Sequence, residues 1–189
     1  MIGQIKMIIF VVIMGIISAA ILVGSDNFTK DIIHENEDLA LKSSILDAFG
    51  IAYTEETVVD VYNESIRSED KGETIIYYSE DGNVGYKFNG DGLWGPIRGF
   101  ITLGPDRVSI NGIQILYQEE TPGLGGVVSE QGYLSKFKGK KLEPAIIVKK
   151  DADPSSEFEV DVITGATATS KAFELMLNES YQTRKGDLD

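Results

Sequence analysis

The run "MIIFVVIMGIISAAILV", Met7 to Val23, constrains this chain more than any other feature, since all of its 17 positions but Gly15 and Ser18 are apolar. As a helix it covers about 26 Å, close to the thickness of a bilayer's hydrocarbon core. It is apolar all round and lies at the extreme terminus, which argues against a helix packed in a soluble core. Lys6 precedes it, while Asp26 and Asp31 follow. The positive-inside bias then puts the N-terminus in the cytoplasm and the rest of the chain outside. A cleaved signal sequence shows the same charge order and length, with Val23–Ser25 as a weak cleavage region. We expect a retained anchor, with residues 1–25 in the membrane and 26–189 as one extracytoplasmic domain.

Composition narrows what that domain can do. The net charge is −13, and the one concentration of lysine is "KFKGKK" at 136–141, so the surface would repel a phosphate backbone and no nucleic acid is expected. There is no cysteine, which removes thiolate-held clusters, cysteine zinc sites, thiol catalysis and disulfides. His34 is the only histidine and sits among polar residues, so a catalytic triad or a histidine metal site has little support. No metal is expected, and any redox chemistry would need an organic cofactor.

Periodicity organises the rest. Residues 36–49 predict a helix with Leu39, Leu41, Ile45, Leu46 and Phe49 as core positions and Gly50 as its stop. The stretch 55–67 fits helix or strand. "TIIYYS" and "VGYKF" flank the turn "EDGN" as a hairpin. Further strands are predicted at 97–103, across "VSINGIQILYQ", at 133–137, at 145–149 and at 157–163. A last helix over 167–182 would bury Phe173, Met176 and Leu177 at i, i+3, i+4. Helix, mostly antiparallel strands and helix together predict an α+β domain.

Three glycine-marked motifs punctuate this pattern. "GDGLWGPIRG" (90–99) is either a bend with Trp94 in the core or a loop offering Leu93 and Trp94 to a planar ligand. "EETPGLGG" (119–126) has the makings of a tight turn and matches neither a Rossmann nor a Walker spacing. "DVITGATATS" (161–170) crosses from strand to helix. Thr164 or Thr167 would cap that helix, or the unpaired amides at its start would favour a phosphate, with a nearby hydroxyl as attachment point.

Taken together, these motifs resemble the FMN-binding domain family, which takes in the C subunits of sodium-translocating NADH:quinone oxidoreductases and the G subunits of Rnf complexes. "GLWG" and "ETPGLGG" look more like the C subunits, while the chain's length is closer to that of a G subunit. The resemblance implies an N-terminal transmembrane helix followed by one FMN-binding domain, a mainly antiparallel sheet flanked by helices. It also implies covalent FMN, a phosphoester on Thr167, with Asp161 part of the pattern read by a flavin transferase. Other cofactor-binding positions carried over are Thr164, Gly165, Ala166, Thr169, Ser170, Leu93, Trp94, Glu120, Thr121, Gly123, Leu124 and Gly125. The implied role is single-pass in the bacterial cytoplasmic membrane: a flavoprotein subunit passing electrons to and from partner subunits of an ion-translocating complex. A binding module of the same fold without covalent flavin, or a free-standing extracytoplasmic shuttle, would be alternatives.

Overall fold

The structure, a computed structural model, describes residues 2–72 and 74–188. Helix α1 (Ile2–Phe49) is unbroken, so the apolar run and the helix predicted at 36–49 are parts of one element. The sequence between them has no apolar stripe to predict a helix, but it also has no proline to stop one. Packing divides the chain after Ala40. In the first unit the apolar side chains from Met7 to Val23 face outward, and the helix is long and apolar enough to cross a membrane.

The second unit, from Leu41, begins with the last turns of α1. Ile45, Leu46, Ala48 and Phe49 are buried there, whereas Leu41 is half-buried. Gly50 ends the helix with φ +75°, and its N–H and that of Ile51 return to the carbonyls of Asp47 and Leu46 at 3.0 and 2.9 Å. This is the left-handed stop that glycine accommodates without strain. The ambiguous stretch resolves into α2 (Val58–Ser65) followed by β1 (Ile66–Asp70).

Strands β1, β2 (Ile75–Ser79), β3 (Val84–Asp91), β4 (Pro96–Leu103) and β5 (Ile110–Tyr117) form an antiparallel sheet in sequence order. The β3–β4 hairpin pairs from Val84 with Leu103 to Asp91 with Pro96, which leaves Gly92–Gly95 as its tip. Ala48 of α1 is tied to the sheet by the Thr102 hydroxyl, which donates to its carbonyl at 2.5 Å.

The segment at 133–137 corrects the sequence reading. It is a turn of helix, α3 (Gln131–Leu134), continued by a 3-10 turn (Ser135–Phe137), not a strand. Tyr133, Leu134 and Phe137 are the buried positions, a spacing that one face of a helix supplies. The short strands β6 (Ile147–Lys149) and β7 (Glu159–Asp161) pair in parallel as a second sheet. Helix α4 (Thr167–Arg184) closes the core. Its Phe173 ring lies 6.0 Å from Phe88 on β3 and 5.5 Å from Phe137, and Phe173, Met176 and Leu177 are all buried as predicted.

Candidate functional site

The three glycine-marked motifs, far apart in sequence, converge on one side chain. At the β3–β4 tip, Gly92 N–H donates to the Gly95 carbonyl at 2.8 Å, which tightens the turn and pushes Leu93 and Trp94 outward. They are 54% and 70% exposed, so Trp94 is not a core residue. Their backbone N–H groups donate to Glu120 Oε1 at 2.7 and 2.9 Å.

Glu120 follows β5 and is only 3% exposed. Beyond it the chain turns: the N–H groups of Leu124 and Gly126 both donate to the Thr121 carbonyl, at 3.1 and 3.0 Å. This places Gly125 directly against the glutamate, where a Cβ would overlap Oε2 and lie 2.7 Å from Thr169 Oγ1. Thr121, Gly123 and Leu124 are on the exposed side of the same turn.

The third motif supplies the other end of the bridge. The Thr169 hydroxyl, 1% exposed, donates to Glu120 Oε2 at 2.6 Å. Ser170 is also buried; its hydroxyl accepts from Ile163 N–H and donates to the Ala166 carbonyl, both at 2.9 Å. Together these bonds shape the turn Thr164–Ala166, in which Gly165 has φ +81°. A Cβ on Gly165 would lie 3.1 Å from Leu124 Cδ2, so the second motif's tip rests on the third motif's turn.

Helix α4 begins with Ala166 as N-cap and without a side-chain cap, so neither Thr164 nor Thr167 spends its hydroxyl on the helix start. Both threonines are exposed. A cavity of about 330 Å³ opens beside Thr164, lined also by Gly123, Val127, Tyr133, Lys136 and Ile163. Asp161, at the end of β7, accepts from Ala152 N–H at 2.9 Å and so braces the loop before the motif. His34 lies on α1 beside Glu37, at 3.6 Å.

One group at this site was not singled out from sequence. Arg98 and Tyr117 pair across β4 and β5, with the guanidinium 4.6 Å from the ring centre. The Tyr117 hydroxyl bonds to Glu119, which holds the phenol's pKa above its ordinary value, and Glu119 in turn packs against Gly95. The cross-strand register links these residues, and only the hairpin's pairing reveals it.

Exposed planar and aliphatic side chains and the start of an uncapped helix bearing an exposed threonine are thus joined through one buried bridge. Residues 92–182 match the family model described as the FMN-binding domain, a stretch that holds "GLWG", "ETPGLGG" and "TGAT". The resemblance carried by those motifs is thereby borne out.

Among proteins, the chain is similar to the C subunit of the Na(+)-translocating NADH-quinone reductase of Neisseria meningitidis, 39% identical over 110 residues, covering 54% of this chain and 43% of that protein. The Pasteurella multocida protein of the same name is 41% identical over 100 residues, covering 50% of this chain and 37% of its own length. The match thus spans less than half of either relative. Among solved structures, the C subunit of the same reductase from Parabacteroides distasonis superposes with a TM-score of 0.73 at 26% identity, covering 84% of this chain and 96% of that one. Shewanella oneidensis NqrC gives 0.69 at 20% identity, over 82% and 98%, a likeness of fold.

Proposed function

We propose that this chain is a membrane-anchored flavoprotein subunit that carries FMN covalently on Thr167 and passes electrons within an Nqr-type NADH:quinone oxidoreductase. The observation that carries the reading is the Glu120 bridge, which gathers the three motifs around an exposed threonine. The family match and the names of the relatives support FMN and favour an Nqr-type over an Rnf-type complex.

Each residue then has a definable task. Thr167 is the tether, its hydroxyl joined to the FMN phosphate as a phosphoester with loss of water overall. The uncapped amides at the start of α4 lie where a phosphate's negative charge is favoured. Leu93, Trp94 and Leu124 offer flat or aliphatic surfaces to a planar ring. Thr164, Gly165 and Ala166 shape the turn and leave it open. Thr169 and Ser170 hold the protein side of the site through their bonds to Glu120, Ile163 and Ala166. FMN, when bound, supplies the electron-carrying chemistry that these side chains lack. The anchor would occupy residues 1–25, with the N-terminus in the cytoplasm and residues 26–189 outside. Partner subunits would complete the electron path, and a flavin transferase would install the cofactor.

Co-expression with a flavin transferase tests the central claim. The denatured band should fluoresce in-gel, and the peptide containing Thr167 should gain the mass of FMN minus water. Thr167→Ala should fold and lose both signals. An adduct on Thr164, Thr169 or Ser170, or an unmodified wild type beside an active transferase, would overturn the assignment. Co-purification with other membrane proteins separates a member of a complex from a free-standing shuttle.

A further inference from the structure

Both oxygens of the Glu120 carboxylate take donors from within the chain. Oε1 takes the N–H groups of Leu93 and Trp94, and Oε2 takes the Thr169 hydroxyl, at 2.7, 2.9 and 2.6 Å. An ionised carboxylate only accepts, and all three neighbours donate, so the set is matched in chemistry as well as distance. Charge-assisted bonds of this kind are roughly twice as strong as neutral ones. The surrounding backbone is fitted to the group: a Cβ at Gly92 would lie 2.5 Å from Oε1, and one at Gly125 would overlap Oε2. Thr169 is in the first turn of α4, two positions after Thr167, whereas Trp94 is at the tip of a hairpin with its side chain mostly in solvent.

We infer that Glu120 is a positioning residue, which fixes the Trp94 tip relative to the helix that begins at Thr167. On the flavin reading it would act through the tip, by setting the angle at which a ring tethered at Thr167 would meet the Trp94 side chain. The inference rests on the flavin reading above, but its first test needs no flavin.

Trp94 is the chain's only tryptophan, so its fluorescence reports on the tip alone. In the unmodified full chain in detergent, Glu120→Ala and Thr169→Val should each lower Trp94 anisotropy and raise its quenching by acrylamide. Thr169→Val is the informative member, since the Thr169 hydroxyl reaches the tip through the glutamate. Glu120→Gln should rescue, because its amide oxygen still accepts from Leu93 and Trp94 while its NH₂ donates to Thr169 Oγ1. In the flavin-modified chain, the visible circular dichroism of the flavin should be lost in Glu120→Ala, diminished in Thr169→Val and kept in Glu120→Gln. Far-ultraviolet spectra establish folding, and if Glu120→Ala fails to fold, the milder Thr169→Val decides. Wild-type anisotropy, quenching and flavin dichroism in folded Thr169→Val would overturn the proposal. A Trp94 response in the unmodified variants, together with a wild type that gains no adduct beside an active transferase, would instead count against the flavin reading and leave the bridge standing.

Discussion

Thr167 and Thr169 are two positions apart, yet one hydroxyl faces solvent and the other is bonded in the interior to Glu120. The helix makes that difference, because successive residues turn by about 100° around its axis. Trp94 shows the opposite inversion, an aromatic residue that a core could have absorbed but that stands 70% exposed. Trp94→Ala should therefore change folding stability by no more than about 0.5 kcal/mol, as for an ordinary surface site. A buried aromatic would cost about 3–5 kcal/mol. Chemical denaturation measures the difference, and a loss in the larger range would contradict the exposed placement. At this scale the sequence was partly legible. "TGAT" and "GLWG" could be singled out by their glycines, but the partners of Glu120 lie 26, 27 and 49 positions away, beyond any local pattern.

Among the elements, α4 depends most on one ring. Phe173 is fully buried between Phe88 and Phe137, so Phe173→Ala should cost about 3–5 kcal/mol in a urea or guanidinium titration. A cost below about 1 kcal/mol would mean the helix is not packed as described. The same helix was readable from sequence because Phe173, Met176 and Leu177 repeat at the helical period. Strands β2 to β5 were readable because turn residues bound each run. The segment 133–137 was not, since three apolar residues within five positions fit either period. Strand β1 escaped for a different reason: in "IRSED" only Ile66 is buried, so an edge strand facing water carries no alternation to detect.

The whole molecule responds to pH and to its setting. Burial pushes the Tyr133 phenol from 10.0 up to about 12 and also raises that of Tyr86. Neither hydroxyl makes a hydrogen bond of ordinary geometry. An unfolded chain would ionise these groups near pH 10 while the folded one holds their protons, so the unfolded state binds fewer protons above that value. Stability present below about pH 10 should thus fall as pH rises toward 12, and Tyr133→Phe should flatten that fall. Thermal melts from pH 8 to 12 read it directly, and a flat profile in the wild type would contradict the burial. The proposed topology has its own check. Protease added to intact spheroplasts should digest the chain beyond Asp26, and protection until lysis would reverse the orientation.

The turn at the start of α4 has a bearing on when the protein matures. Thr164, Gly165, Thr167 and Ala168 lie open on the surface of the folded domain, while the groups that shape the turn are sealed beneath them. On the proposed reading, a transferase can work on a finished fold and need not catch a nascent chain. Folding and cofactor loading become separable events in time, and a pool of folded, unloaded protein can wait in the membrane until flavin is supplied.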